Sequence, residues 1–102
     1  MDRHPAVYIL ANAPRGTLYI GVTSNLSKRI WIHKNHMVRG FTQRYDLNKL
    51  VWYEAHESME TAICREKSLK YWKRIWKIQL IEETNPAWRD LYSDLMDNNL
   101  TA

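Results

Sequence analysis

Two residues of one predicted helix could act on a phosphate group. Arg29 and His33 lie four positions apart, so a helix stacks both side chains beside the apolar residues Leu26 and Ile30. A guanidinium pairs well with phosphate oxygens, and an imidazole exchanges protons near neutral pH. For either residue alone a structural role is the more common one, as a solvent-reaching arginine or a hydrogen-bonded core histidine. The pair therefore needs support from other residues.

Glu66 occupies a position that packing would give to an apolar side chain. It lies four residues after Ala62 and three before Leu69, within the apolar stripe of a long predicted helix. A buried glutamate needs a cation beside it, either a basic side chain or a metal ion. An internal salt bridge, for example with Arg29, is one interpretation. The other is a carboxylate at the floor of a cleft, where it binds a divalent cation.

Tyr8 and Tyr19 lie on two strands that we predict to pair as a hairpin, so one sheet could present both phenols. Ordinary strand aromatics are the structural alternative. Gly21 follows on the second strand, where the missing side chain lets a backbone or a ligand approach closely.

Two further patterns are explained better by a structural role than by a functional one. His33, His36 and Cys64 could suggest zinc, but they lack the paired spacing of known zinc sites. The segment KYWKRIWK mixes basic and aromatic residues, as surfaces that stack nucleic-acid bases do. Because Trp72 and Trp76 continue the apolar stripe of the helix, we predict that both belong to the core.

The elements that position these residues can be read from turns and caps. Residues 6–12 and 17–22 are predicted strands, joined by a turn at 13–16 in which glycine permits a positive φ. Thr23, Ser24 and Asn25 offer oxygens that start a helix, which we expect to reach about His36. Residues 37–48 are predicted to form a basic loop.

The second half is predicted to be mainly helical. A third strand covers 49–56, and Ser58 opens a helix from Met59 to about Lys73. Another helix covers 76–83, and Asn85 with Pro86 predicts the cap of a final helix from residue 87. The result is an α+β fold, a small three-stranded antiparallel sheet flanked by helices in the order ββαβααα.

Length and charge set the broad class. The 102 residues suit one domain, with a core over about 6–95 and an acidic tail, and the net charge is +4. Basic residues dominate 24–49 and 59–81, which indicates a polyanion-facing surface or solvated helix faces. The single cysteine, the absence of a long apolar run and the short apolar stretch at the N-terminus predict a cytoplasmic protein.

Taken together, these residues resemble the signature of the GIY-YIG nuclease superfamily, and of its small stand-alone members in particular. The first signature tripeptide appears as Ala6-Val7-Tyr8, and the second is intact as Tyr19-Ile20-Gly21. The ordered set, with its strand–strand–helix context, covers roughly residues 6–95.

The resemblance implies a role for each residue. Tyr8, Tyr19, Arg29 and His33 would be catalytic, and Glu66 would hold Mg²⁺ or Mn²⁺. Many members carry an asparagine after the glutamate, and Asn85 is the nearby candidate, although it also suits a helix cap. Gly21 would be structural at the site. The chain lacks the appended DNA-binding domain of larger members, which implies a choice of target by structure rather than by sequence.

We therefore expect a metal-dependent endonuclease that hydrolyses DNA phosphodiester bonds, for example in DNA repair. Basic residues would hold phosphates without reading sequence, namely Lys28, Lys34, Arg39, Arg44 and Lys70. Two alternatives stay open, a non-catalytic nucleic-acid-binding module and a subunit that recruits a protein partner. The preferred DNA form, tolerance of RNA and the oligomeric state are open as well.

Overall fold

The structure, a computed structural model, describes residues 4–35, 37, 40 and 44–101, with the backbone alone at 98–101. It confirms the predicted α+β order ββαβααα. The elements are β1 Ala6–Ala11, β2 Leu18–Thr23, α1 Leu26–Lys34, β3 Lys49–Ala55, α2 Met59–Tyr71, α3 Arg74–Thr84 and α4 Tyr92–Thr101.

The three strands form one antiparallel sheet in the order β2-β1-β3. Because β1 is central, Tyr8 has a neighbour on each side, Gly21 on β2 and Tyr53 on β3. A bulge shifts the register with β3 between Ile9 and Leu10. Every residue of β1 is buried, so helices and loops cover both faces of the sheet.

The two faces of β1 have different partners. Val7, Ile9 and Ala11 pack with the side chains of α2 and α3 that include Ala62 and Ile81. We call this the apolar face. The alternate residues Ala6, Tyr8 and Leu10 pack against α1 and against Leu47 and Leu50. We call this the tyrosine face.

The hairpin turn forms where it is predicted, with one difference in its dihedral angles. The Gly16 amide donates to the Ala13 carbonyl over 2.9 Å, but the positive φ belongs to Arg15, at 54°. Glycine is needed at 16 for space, because a Cβ atom there would lie 2.2 Å from Oδ1 of Asn12. From α3, the Arg74 guanidinium donates to the Gly16 carbonyl over 2.7 Å and fixes the turn.

The predicted starts of α1 and α2 are confirmed, while both helices end earlier than predicted. Asn25 and Ser58 cap α1 and α2 through their side chains. Helix α1 ends at Lys34, before the predicted end at His36, which lies outside the described residues. Helix α2 stops at Tyr71 because Trp72 and Lys73 are extended, with ψ angles of 150° and 146°.

That break makes the predicted core position of Trp76 wrong. Helix α3 does not continue the stripe of α2, so Trp76 is 46% exposed, while Ile78 and Ile81 enter the core instead. Trp72 is partly buried against the apolar core.

The predicted start of the final helix is also wrong. Asn85 ends α3 rather than opening a new helix, and α4 begins at Tyr92. The carboxylate of Asp90 accepts from the Tyr92 amide over 3.1 Å and from the Leu50 amide over 3.2 Å. The Leu91 amide donates to the Leu50 carbonyl over 2.7 Å, so residues 90–91 lie alongside β3. In the described part of the chain no helix is long and apolar enough to cross a membrane.

Candidate active site

Tyr8 lies at the centre of the tyrosine face, and Gly21 makes its position there feasible. The side chain is 1% exposed, and a Cβ atom on Gly21 would lie 2.4 Å from the Tyr8 hydroxyl oxygen. The space that we predicted for a ligand beside Gly21 is therefore filled by a phenol. Sequence alone did not indicate this, because it depends on the register that sets Gly21 opposite Tyr8.

The Tyr8 hydroxyl joins two side chains of α1. It lies 3.1 Å from Nε2 of His33, and Nε of Arg29 donates to it over 3.5 Å. Since the guanidinium can only donate, Tyr8 accepts from Arg29 and donates its own proton to His33. Nε2 is then an acceptor, so the neutral imidazole carries its proton on Nδ1.

Burial decides the protonation states of Tyr8 and His33 beside Arg29. It raises the pKa of Tyr8 to about 12, against a smaller lowering effect of the Arg29 hydrogen bond. Burial, with the nearby Arg29 charge, lowers the pKa of His33 to about 4. The hydrogen bond with Tyr8 raises the pKa of Arg29. At neutral pH the phenol and the imidazole are both uncharged, and the guanidinium supplies the positive charge.

Tyr19 completes the cluster from the edge strand β2. Its ring centroid lies 5.7 Å from that of His33 and 6.3 Å from that of Tyr8, and its hydroxyl interacts with Arg29. Tyr19 is only half-buried, unlike Tyr8. The fold thus brings together four predicted catalytic residues, and it leaves Tyr19 nearer to solvent than Tyr8. We call these four side chains the tyrosine cluster.

Glu66 lies on α2, and its side chain is 14% exposed. Its carboxylate pairs with Lys70 over 2.9 Å, so the partner is one helical turn away rather than the Arg29 that we considered. The spacing of four residues was the signal for this pair. The charge of Glu66 is the smallest of the effects on the pKa of Tyr8, which burial raises most.

The donor set suits one kind of metal ion. Among the described residues no group of three or more His, Cys, Asp and Glu side chains could hold a metal. A single carboxylate fits Mg²⁺, which keeps most of its water and is completed by substrate phosphate oxygens. Of the zinc candidates, Nε2 of His33 faces Tyr8 and Cys64 is exposed, while His36 lies outside the described residues.

The predicted phosphate-binding residues occupy different environments. Lys28 and Arg44 are exposed, and Arg44 lies over the Tyr45 ring. The Lys34 ammonium is paired with the Asp90 carboxylate and donates to the Asn48 carbonyl over 2.8 Å, contacts that compete with a phosphate. Lys70 is half-exposed beside Glu66. Arg39 lies outside the described residues.

Asn85 is buried, and its amide group is fully hydrogen-bonded. Nδ2 donates to the carbonyls of Val51 and Arg89 over 3.1 and 2.9 Å, and Oδ1 accepts from the Arg89 amide over 3.0 Å. These bonds hold the end of α3 against β3. They give Asn85 a structural explanation, and its catalytic role stays a prediction.

A pocket of about 220 Å³ opens beside the start of α1, lined by Asn25, Leu26, Ser27, Tyr53 and Leu95 among others. The tyrosine cluster and Glu66 do not line it. The candidate chemistry therefore lies outside this pocket.

Comparison with known proteins adds a family assignment. Residues 4–79 match the GIY-YIG catalytic domain. A UPF0213 protein of Clostridium perfringens is 40% identical over 75 residues, which cover 74% of this chain and 80% of that protein. A UPF0213 protein of Staphylococcus saprophyticus is 32% identical over 83 residues, or 81% of this chain and 99% of that protein. No solved structure matches the sequence.

Proposed function

Because the chain belongs to the GIY-YIG nuclease family, we propose that it is a metal-dependent endonuclease that hydrolyses DNA phosphodiester bonds. One observation carries the proposal. Tyr8, Tyr19, Arg29 and His33 come from two strands and a helix, yet they converge around one buried hydroxyl group. Packing alone would favour hydrocarbon at these positions, because buried polar groups require partners.

Arg29 is the residue that we assign to the scissile phosphate. Its guanidinium is partly exposed. Tyr8 holds its Nε and the Tyr19 hydroxyl interacts with it as well, and its other N–H groups can pair with phosphate oxygens. The negative charge on those oxygens grows as the water attacks, so a fixed positive charge stabilises the transition state more than the bound substrate.

The two tyrosines take different roles. Tyr8 is buried and keeps its proton, so we assign it to positioning Arg29 and His33 rather than to contact with water. Tyr19 is closer to solvent, and we assign it to orient the attacking water molecule. The water oxygen forms the new P–O bond and the bond to the leaving 3′-oxygen breaks. Because Nε2 of the neutral His33 already accepts from Tyr8, the proton lost by the water passes to solvent, and the leaving 3′-oxygen takes a proton from solvent.

Glu66 is the residue that would hold the divalent cation. When bound, Mg²⁺ or Mn²⁺ supplies a Lewis acid for the phosphoryl and leaving oxygens. The ion pair with Lys70 does not prevent binding, because Lys70 is half-exposed and such pairs contribute only about 0–1 kcal/mol. Lys70 can then move to a phosphate, as the sequence predicts.

The choice of substrate follows from the kind of contact available. Exposed lysine and arginine side chains such as Lys28 and Arg44 bind the phosphate backbone, which carries no sequence information. We therefore propose selection by DNA structure, as in the processing of branched or single-stranded DNA during repair. The exposed Cys64 supports a reducing compartment such as the cytoplasm.

A cleavage assay tests the proposal. Purified protein is incubated with single-stranded, duplex and branched DNA in Mg²⁺, Mn²⁺ or EDTA. The same assay is run on Glu66→Ala and Arg29→Ala, with Glu60→Ala and Lys28→Ala as controls from the exposed surface of the same helices. We expect metal-dependent cleavage by the wild type and by Glu60→Ala, slightly weaker cleavage by Lys28→Ala, and loss in the other two variants.

Two results would contradict the proposal. Binding of DNA with no cleavage in any metal would make the protein a binding module. Cleavage that survives Glu66→Ala unchanged would leave the enzyme but remove Glu66 as the metal ligand.

A further inference from the structure

The corner between α2 and α3 carries exposed aromatic side chains in a basic surrounding. Tyr71 is 91% exposed and Trp76 is 46% exposed, with Ile75 between them also exposed. Residues 67–77 contain basic side chains and no acid, the basic ones being Lys67, Lys70, Lys73, Arg74 and Lys77. We call Tyr71, Trp76 and these basic neighbours the corner patch, and Ile75 lies beside it.

The exposure follows from the chain path. The extended dihedrals of Trp72 and Lys73 end α2 and start α3 in a new direction, which turns Trp76 outward. Clustered exposed aromatic residues, unlike single ones, mark an interaction surface. The corner is also held firmly, since Arg74 donates to the hairpin carbonyl of Gly16 and Lys77 donates to the Lys70 carbonyl. The rings therefore project from a backbone that these bonds hold in place.

The charges around the rings favour a polyanion. The Lys73 ammonium lies 5.4 Å from the centroid of the Trp76 ring, and the Arg65 guanidinium lies 5.3 Å from that of Trp72. The Trp72 and Trp76 rings meet edge to face, 6.3 Å apart. Flat rings beside cations match a strand whose bases are unpaired, because each base offers a face to stack and each phosphate offers a charge.

The corner patch is continuous with the proposed metal ligand. Lys70 belongs to the patch, and its ammonium pairs with Glu66 over 2.9 Å. A strand that leaves the cleavage site along α2 therefore meets Tyr71 and Trp76 next.

We propose that the corner patch binds single-stranded nucleic acid, with Tyr71 and Trp76 stacking on unpaired bases and Lys67 and Lys73 contacting the phosphates between them. The inference rests on the proposed function only for the class of substrate. It adds that unpaired nucleotides next to the cleaved bond strengthen binding, so splayed or flapped DNA binds better than continuous duplex.

A binding measurement in EDTA separates this inference from catalysis. The anisotropy of a fluorescent oligothymidine is titrated with wild type, with a Tyr71→Ala/Trp76→Ala double variant and with a Tyr71→Phe/Trp76→Phe double variant. Each stacked base strengthens binding about 5-fold or more, so we expect loss of both rings in the alanine pair to weaken binding about 30-fold or more. The phenylalanine pair keeps the rings and should retain most of the affinity.

The controls use the same surface. Ile75→Ala removes an exposed apolar side chain without a ring, and it should leave the affinity unchanged. All three residues changed here are exposed, so thermal melting should show that each variant is folded. A continuous duplex should bind more weakly and respond less to the alanine pair.

Equal affinity of the wild type and the alanine pair would overturn the inference and leave the patch as a surface for a protein partner. If cleavage persists in that case, the proposed nuclease function stands without the patch. If instead the alanine pair loses binding while no protein cleaves DNA, the patch stands and the nuclease function fails.

Discussion

The two faces of β1 use the same backbone for different purposes. On the apolar face, Val7, Ile9 and Ala11 pack in a cluster of buried apolar side chains. On the tyrosine face, the hydroxyl of the equally buried Tyr8 is hydrogen-bonded to His33 and Arg29. The apolar face stabilises the fold because it removes apolar area from water. On the tyrosine face, part of this stabilisation is lost because polar groups are removed from water as well. We infer that the apolar face sets stability and the tyrosine face sets activity.

The largest expected effect separates activity from stability. Arg29→Ala removes the positive charge from the tyrosine cluster, and we expect cleavage to fall about 10³-fold, as for comparable charged groups that stabilise phosphoryl transition states. The free energy of unfolding should change by less than about 1 kcal/mol, because Arg29 is partly exposed. Cleavage rates and urea denaturation measure both. A large loss of stability would contradict the division between the faces.

The opposite result is expected on the apolar face. Ile9→Ala leaves a cavity in a fully buried site and should lower the free energy of unfolding by about 2–5 kcal/mol. The cleavage rate per folded molecule should stay near that of the wild type at low temperature. Val22→Ala changes a partly buried residue of the same face, so it should lower the free energy of unfolding by less than Ile9→Ala and serves as the control.

The buried imidazole makes the stability of the tyrosine face depend on pH. The pKa of His33 is about 4 in the folded protein and about 6.5 when exposed, so the unfolded chain binds the proton first. Stability is then full above pH 6.5 and is lost as the pH falls toward 4, by about 3 kcal/mol. Urea midpoints of wild type and His33→Gln between pH 7 and 4 should converge as the pH falls. A constant difference would refute the buried neutral imidazole.

The smallest expected effect tests the fit between β1 and β2. Gly21→Ala places a Cβ atom 2.4 Å from the Tyr8 hydroxyl oxygen, so Tyr8 must move. We expect a loss of about 1–3 kcal/mol in stability and a moderate loss of cleavage, because Arg29 and His33 lose their common partner. The double variant Gly21→Ala/Tyr8→Phe removes the hydroxyl but keeps Cζ, which also lies 2.4 Å from the Cβ atom, so it should recover little of the stability and none of the activity. Equal stability of Gly21→Ala and wild type would contradict the contact.

Local signals explain why much of the fold was predictable. Strand residues, the turn at 13–16 and the caps at Asn25 and Ser58 act within a few positions, and each element they predict is present. The errors arose where distant contacts decide. Asn85 has the local pattern of a helix start, but its amide group is taken by Val51 and Arg89. The break that we predict after about Lys73 comes two residues earlier, after Tyr71, and neither glycine nor proline marks it within residues 67–77.

In the candidate site, too, local patterns were predictable and the contacts decided by the fold were not. The types and spacing of Arg29, His33 and Glu66 were visible in the sequence, because helical periodicity places them relative to apolar neighbours. The difference between the tyrosines was not visible, since both alternate in the same way along their strands. Only the register, with Gly21 opposite Tyr8, buries one phenol and leaves the other near solvent.

The segment of residues 90–91, which lies alongside β3, has a consequence for association between molecules. A strand at the margin of a sheet usually offers free amides and carbonyls to a second chain. At Leu50 both groups are already taken, by the Asp90 carboxylate and the Leu91 amide. A chain cut after residue 79, the last residue of the family match, would lose both partners and the buried Ile81 and Trp88. We expect such a fragment to aggregate through β3.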